Sequence, residues 1–238
     1  DRVIGGITDK CARRAAGLYR VFVQGELFVT DSRTAEMCKL AENAFRDVNI
    51  AFANELSIIC DRLGVDIWRL IRFANRHPRV NILNPGPGVG GHCIAVDPWF
   101  IVDSAPDESR LIKSAREIND YKPKYIIEMI KKIACDYEFP TIACLGLSFK
   151  PDIDDLRESP ALQIVESLVK EKVGEIVVVE PNIDRLPPTL SGLELVEPLD
   201  AIRRSTIVVL LVNHRVFYEI DKRLLDGKSV IDTRGIWQ

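Results

Sequence analysis

Residues 141–160 read TIACLGLSFKPDIDDLRESP. Thr141 to Phe149 is a short, mostly apolar run without polar alternation, as expected of a strand buried on both faces. A loop follows from Gly146. Ser159 and Pro160 then mark a helix start, because a serine side chain caps the first free amides and proline's fixed φ and missing N–H suit the first helical position. Further short β-branched runs follow at Glu175–Val179, Thr206–Val212 and Ser229–Asp232, separated by helical patterns at Pro160–Lys172 and about Phe217–Leu225. Buried strands alternating with helices predict a Rossmann-like, doubly wound parallel sheet over residues 137–238.

Upstream the period changes. Residues 32–136 read as mostly helical. Asp31 or Ser32 can cap a helix that continues to about Leu63, where Gly64 stops it. Its apolar residues cover more than one face, so it should be buried on most sides. A second helix is expected from about Asp66 to Ala74, then a Pro/Gly-rich stretch from His77 to Pro98. Two more helices are expected at about Glu108–Asn119 and Pro123–Asp136, with Pro123 in the first turn of the latter. Residues 1–31 hold a strand (Arg2–Ile4), a helix (about Asp9–Gln24) and a strand (Glu26–Thr30). Thirty residues close no core alone, so this piece reads as the edge of a domain that begins further upstream. The fold class is α/β overall, with a helical central domain followed by the sheet domain.

The chain has 238 residues, 47% hydrophobic and 28% charged, the profile of a globular protein. A net charge of -3 leaves no basic excess to neutralise phosphates and argues against nucleic-acid binding. No apolar run approaches the roughly 18 residues of a membrane span. Neither a signal nor a transit peptide is recognisable, so the location expected is cytoplasmic. The six cysteines, at 11, 38, 60, 93, 135 and 144, are irregularly spaced, and the three histidines show no ligand spacing, so neither a disulfide framework nor a metal site is expected.

Three motifs carry chemistry. In Asn84 to Pro98, four glycines lie in the eight residues before Cys93. Glycine lets a backbone approach a ligand closely or adopt positive φ. Asp97 follows Cys93 at i+4, on the same face if Cys93 starts a helical turn. A thiolate beside a carboxylate suits covalent catalysis followed by attack of water. The competing reading, a surface loop followed by a buried cysteine, carries equal weight on local residues alone. Second, Lys39 and Asn43 stand at i and i+4 on the long helix, with Glu36 and Asp47 continuing the stripe. This is either a solvated face or a pair of donors aimed at a developing oxyanion. Third, the loop from Gly146 to Ser159 lies where doubly wound sheets bind ligands. Lys150 and Arg157 would favour an anion there; its acidic residues favour a solvated loop instead. Arg234, after the last strand, can reach the same crevice. Glu180 ends the second strand where a dinucleotide fold places its ribose-binding acid, but Gly146 is not part of a G-x-G-x-x-G turn, so this sheet is not expected to hold NAD.

Together, the Gly-rich loop with Cys93 and Asp97, Lys39 with Asn43, and Phe149-Lys150 leading to Arg157-Glu158-Ser159 resemble the UDP-glucose/GDP-mannose dehydrogenase family, and the similarity covers the whole chain in order. Ala35–Glu55, His77–Ile101 and Phe149–Pro160 are most similar to members that act on UDP-N-acetyl-D-mannosamine, with UDP-glucose and UDP-N-acetylglucosamine as alternatives. The resemblance implies an NAD-binding first domain, of which residues 1–31 would be the remnant, a central domain (32–136) that makes a homodimer, and a C-terminal domain (137–238) that binds UDP. It implies oxidation of the sugar C6 alcohol to a carboxylate by two NAD in succession, through a thiohemiacetal and a thioester on Cys93. Lys39 and Asn43 would stabilise oxyanions and Asp97 would orient water. Arg79, Lys150, Arg234, Gly90 and Gly91 would meet the UDP-sugar, and Arg157 the cofactor boundary. Without the family's G-x-G-x-x-G loop, this stretch alone is expected to be inactive.

Overall fold

The computed structural model describes all of residues 1–238. Strand β1 (Arg2–Gly6), helix α1 (Asp9–Tyr19) and strand β2 (Leu27–Asp31) form a small unit whose strands pair in parallel, Arg2 against Leu27. α1 ends earlier than its pattern suggests, before the β-branched Val21 and Val23.

Helix α2 (Ser32–Leu63) runs for 32 residues. The Asp31 carboxylate accepts the Thr34 amide at 2.9 Å, and Gly64 ends the helix at φ 65°, with Val65 N–H donating to the Cys60 carbonyl. Only a residue free of Cβ takes that left-handed turn cheaply. Helix α3 (Ile67–Ala74) follows, then the Pro/Gly-rich stretch and helix α4 (Asp97–Ser104), which the apolar Trp99-Phe100-Ile101 had not signalled.

Helix α5 (Arg110–Ala134) is one helix where two were expected, with Pro123 inside it. An interior proline removes one backbone hydrogen bond and costs about 3 kcal/mol. Burial on both sides of the proline offsets that cost. Arg116 and Asn119 are sealed against α2, and Ile126, Ile127, Ile130 and Ala134 belong to the core beneath the C-terminal sheet. α5 is thus a beam shared by the helical part and the sheet.

The sheet has the order β4-β3-β5-β6, all parallel, with β3 (Thr141–Leu145), β4 (Glu175–Val179), β5 (Ile207–Leu210) and β6 (Ser229–Asp232). Successive residues go to opposite faces. Ile142, Cys144, Ile176, Val178, Ile207 and Val209 pack with α5 and with α6 (Pro160–Lys170). Ala143, Leu145, Val177, Val179, Val208 and Leu210 pack with α7 (Pro198–Arg204) and Phe217 of α8 (Arg215–Tyr218). Ser159 and Pro160 start α6 as expected, with Ser159 Oγ accepting the Leu162 amide at 3.4 Å. The helix expected at Phe217–Leu225 is instead α8 plus a 3-10 turn at Lys222–Leu225, because Asp221 accepts the Arg223 amide and restarts the chain. No helix is long and apolar enough to cross a membrane.

Candidate active site

The Gly-rich loop is clamped between the two halves of the chain. A Cβ added at Gly90 would lie 2.2 Å from the Glu158 carbonyl oxygen, and one at Gly91, whose φ is +86°, would lie 3.0 Å from the Phe149 ring. The close approach that requires glycine here is to protein, to the Phe149–Pro160 loop, rather than to an open ligand site. At Gly86 the added atom would sit 2.6 Å from Arg234 Nη1. The Gly86 amide donates to Asn54 Oδ1 at 2.9 Å, which ties the loop to the middle of α2.

Past that clamp the chain makes one helical turn. The Cys93 carbonyl accepts the amides of Val96 (3.1 Å) and Asp97 (2.8 Å), so Cys93 sits one turn ahead of α4, with an exposed thiol-bearing residue. The reading of a buried, structural Cys93 falls away. Asp97 Oδ2 accepts Asn43 Nδ2 at 2.5 Å, and Asn43 Oδ1 accepts Lys39 Nζ at 3.4 Å. Asn43 is 8% exposed, whereas Lys39 stays solvated beside Glu42 at 3.6 Å. Lys39, Asn43, Asp97 and the Cys93 turn therefore form one connected chain, although they come from residues 54 or more apart in sequence for the Asn43–Asp97 link.

Reading the α2 stripe as a solvated face fails at Asp47. Asp47 and Arg116 are 0% and 1% exposed and joined at 2.6 Å, with Arg116 also bonded to Asp120. Asn119 donates to Asp47 Oδ1 at 2.8 Å and accepts from Asn54 at 2.9 Å. A buried polar relay thus runs from Arg116 to the Gly86 amide. Asn54 went unnoticed in the sequence, although 43, 47 and 54 fall on one helical face and polar residues there were a usable signal.

The remaining candidates are placed less uniformly. Arg234 is half-buried, donates from Nε to the Leu211 carbonyl at 3.1 Å, and pairs with no carboxylate; Asp232 is occupied by the amides of Arg234, Gly235 and Trp237. Burial lowers its guanidinium to about 10. Asp232 offsets only part of that burial, and a cation with no ion pair of its own is one that a bound anion would relieve. Lys150 is exposed, its ammonium 5.7 Å from the Phe149 ring centroid. Arg157 forms a two-pronged pair with Asp155 (2.8 and 2.6 Å), whose carboxyl it holds well below the usual range. Arg79 is exposed, and its side chain makes no hydrogen bond or ion pair within the chain. Arg79 and Arg157 are thus not brought onto the Cys93 cluster by contacts of this chain.

Residues 33–121 match the central domain of the UDP-glucose/GDP-mannose dehydrogenase family, and residues 143–238 match that family's UDP binding domain. The chain belongs to this family. It is 61% identical over 237 residues to an NDP-N-acetyl-D-galactosaminuronic acid dehydrogenase of Ralstonia nicotianae, covering 100% of this chain and 56% of the relative. It is 55% identical over 247 residues to a UDP-N-acetyl-D-mannosamine dehydrogenase of Escherichia coli K12, covering 100% of this chain and 59% of that relative. Among solved structures, the UDP-N-acetyl-mannosamine dehydrogenase of Staphylococcus aureus is similar at 41% identity and TM-score 0.83, over 99% of this chain and 55% of that one. The UDP-D-ManNAc dehydrogenase of Pyrococcus horikoshii gives 35% and 0.86, over 98% and 56%. The chain thus spans between half and two thirds of the length of the relatives it matches. Like the matched structures, the chain joins a helical central domain to a parallel-sheet domain.

The C-terminal sheet does not fit a dinucleotide. Its first turn lacks the glycine pattern. The acid at the end of the second strand, Glu180, is 2% exposed and fully engaged: Oε2 takes the amides of Leu147 (2.7 Å) and Ser148 (3.0 Å) together with His214 Nε2 (3.0 Å), and Oε1 takes the Asn182 amide (3.1 Å). An internal carboxylate fills the amide nest that a cofactor phosphate would need.

Proposed function

We propose that this chain carries the nucleophile and the UDP-binding half of an enzyme that oxidises C6 of a UDP-N-acetylhexosamine, UDP-N-acetyl-D-mannosamine first, to the uronate. The observation that carries this reading is the connected chain Lys39–Asn43–Asp97 ending one helical turn from an exposed Cys93. The Cys93 sulfur adds to the C6 aldehyde carbon, forming an S–C bond, and the carbonyl oxygen takes a proton to give a thiohemiacetal. With its hydroxyl proton released and its hydride passing to an acceptor held outside this chain's residues, the thiohemiacetal would become a thioester. Water then breaks the S–C bond, releasing the carboxylate and the thiol. Lys39 Nζ and Asn43 Nδ2 are donors suited to the oxygen that bears charge in both additions. Asp97, positioned by Asn43, orients the water. The hydride acceptor that the family implies, NAD, has no fitting site in the C-terminal sheet; bound elsewhere in the full enzyme, it would take one hydride from the C6 alcohol and a second from the thiohemiacetal.

A galacto-configured UDP-N-acetylhexosamine is a second reading, supported by the name of the relative 61% identical to this chain. Arg234, which pairs with no carboxylate, and the exposed Lys150 are assigned to the diphosphate, and Gly90 and Gly91 to seating the substrate's loop against Phe149 and Glu158. Arg79 is assigned to the sugar bound by a second copy, since it makes no ion pair in its own chain. Arg157 is assigned to the boundary with the cofactor. The domain division at 31/32 and 136/137 belongs to the same reading. We assign the homodimer to the outer face of α2, where Phe45 (73%), Phe52 (54%) and Ile59 (46%) recur every seven residues with apolar side chains in water. Six free cysteines suit a reducing compartment, and we place the protein in the cytoplasm.

The test is Cys93→Ser in the enzyme as the organism makes it, with UDP-N-acetyl-D-mannosamine and NAD. Net uronate formation should be lost, since a hydroxyl is a far weaker nucleophile than a thiolate. Uronate production at the normal rate would refute the covalent reading.

A further inference from the structure

We infer that His214 is a positioning residue for the diphosphate end of the substrate: buried between Glu180 and the Asp152 amide, it sets the loop that presents Lys150. The inference rests on the assignment of Lys150 to the UDP group.

His214 is 1% exposed and lies just after β5, at the start of α8. The Asp152 backbone N–H donates to its Nδ1 at 3.0 Å, and Asn182 Nδ2 lies 3.0 Å from the same nitrogen. The Asp152 N–H makes Nδ1 an acceptor, which leaves Nε2 as the nitrogen that donates to Glu180 Oε2 at 3.0 Å. Glu180 in turn fixes the Leu147 and Ser148 amides, and Ser148 Oγ donates to the Lys150 carbonyl at 2.8 Å. Lys150 is therefore held from both sides, by Ser148 before it and Asp152 after it, and both anchors converge on one imidazole.

The loop conformation needs such a hold. Asp152 has φ +61°, a left-handed conformation that a residue with a Cβ takes only when its surroundings impose it. Its carboxylate is spoken for by the Arg215 amide (3.0 Å) and Arg215 Nε (3.1 Å). The groups facing His214 are thus Glu180 from the end of β4, Asp152 and Ser148 from the loop, Asn182, and the edge of the Phe217 ring at 5.4 Å from α8; the nearby Arg215 is paired with Asp152. Burial pushes the Glu180 carboxyl up, but hydrogen bonds from His214, Leu147 and Ser148 outweigh it, so the anchor stays ionised.

The probe is UDP-glucose, bound to this chain by calorimetry at pH 8.0. His214→Ala should weaken binding about tenfold at pH 8.0, as loss of one well-placed charge-assisted contact would. His214→Gln, whose amide oxygen and nitrogen can replace Nδ1 and Nε2–H, should stay within about threefold. Hydrogen exchange at residues 149–157 should rise in His214→Ala without ligand. Should the wild type fail to bind UDP-glucose at millimolar concentration, the UDP assignment fails and the positioning role with it. Binding by wild type and by folded His214→Ala with equal affinity overturns the inference alone, as does unchanged exchange in the loop.

Discussion

Arg116→Met isolates the buried ion pair behind the Gly-rich loop. Methionine keeps much of the side-chain volume and removes the charge. The Asp47 carboxylate, 0% exposed, would then retain only Asn119, and its Oδ2 already has no partner. Breaking a buried pair by removing one member costs about 3–5 kcal/mol, because the other charge is left desolvated. For a chain of this size that corresponds to a fall in Tm of roughly 6–20 °C. The pH dependence gives a sharper test. Burial raises the folded Asp47 carboxyl above its unfolded value, and the Arg116 charge is the largest influence opposing that rise. A raised carboxyl contributes most below the ordinary carboxylate range, and that contribution is lost as pH climbs through the folded value. Removing Arg116 raises the folded value further, so the loss deepens and extends to higher pH. Urea unfolding followed by circular dichroism should therefore show a larger deficit at pH 7.5 than at pH 4.5, and Asp47→Asn should restore at least half of it in the double variant. A deficit below about 1 kcal/mol at pH 7.5, an equal deficit at both pH values, or no rescue by Asp47→Asn would refute the argument.

Asn54→Ala strands the buried Gly86 amide and should cost about 1–3 kcal/mol, with faster hydrogen exchange at Gly86 than elsewhere in the loop. Under the proposed dimer, light scattering should give a wild-type particle near twice the 26.8 kDa chain mass, and Phe52→Asp on the outer face of α2 should give one near the chain mass with the helical signal unchanged. Burial lowers Lys122 to about 8; its ammonium has Ser57 Oγ at 2.6 Å and lies 5.0 Å from the Tyr125 ring centroid. Between that value and the unfolded 10.5 the unfolded chain holds the extra proton, so stability should rise with pH across that window by about 3 kcal/mol, and Lys122→Met should abolish the rise in thermal melts at pH 7 and 10.

The fold was legible wherever one residue type had one job. Ser159-Pro160 and Asp31 mark helix starts, Gly64 marks a stop, and the unbroken runs of β3, β4 and β5 can be only covered parallel strands. Pro123 misled because its local cost is overridden by packing on both sides of α5, which no local pattern shows. The site was legible in part for the same reason. The i, i+4 spacings of Lys39 with Asn43 and Cys93 with Asp97 are helical facts and can be read from sequence. The Asn43–Asp97 bond that makes one site of them spans 54 positions and needs the packing of α4 against α2.

Charged residues were the hardest to read, because the same carboxylate means opposite things in and out of water. Asp47 continues what reads as a solvated stripe and is sealed against Arg116; Glu180 stands where a dinucleotide fold has its ribose-binding acid and is consumed by the fold. Each ends a relay that fixes one of two facing loops. Asp47 acts through Asn119 and Asn54 on the loop that leads to Cys93. Glu180 acts through His214 on the loop of Lys150. Those loops touch where Gly90 and Gly91 meet Phe149 and Glu158. A shift in either relay must therefore be felt at the other loop, since protein close-packed at a glycine has no slack to absorb it. Under the proposed reading, the nucleophile and the diphosphate anchor are set in register by two buried carboxylates, neither of which touches the substrate.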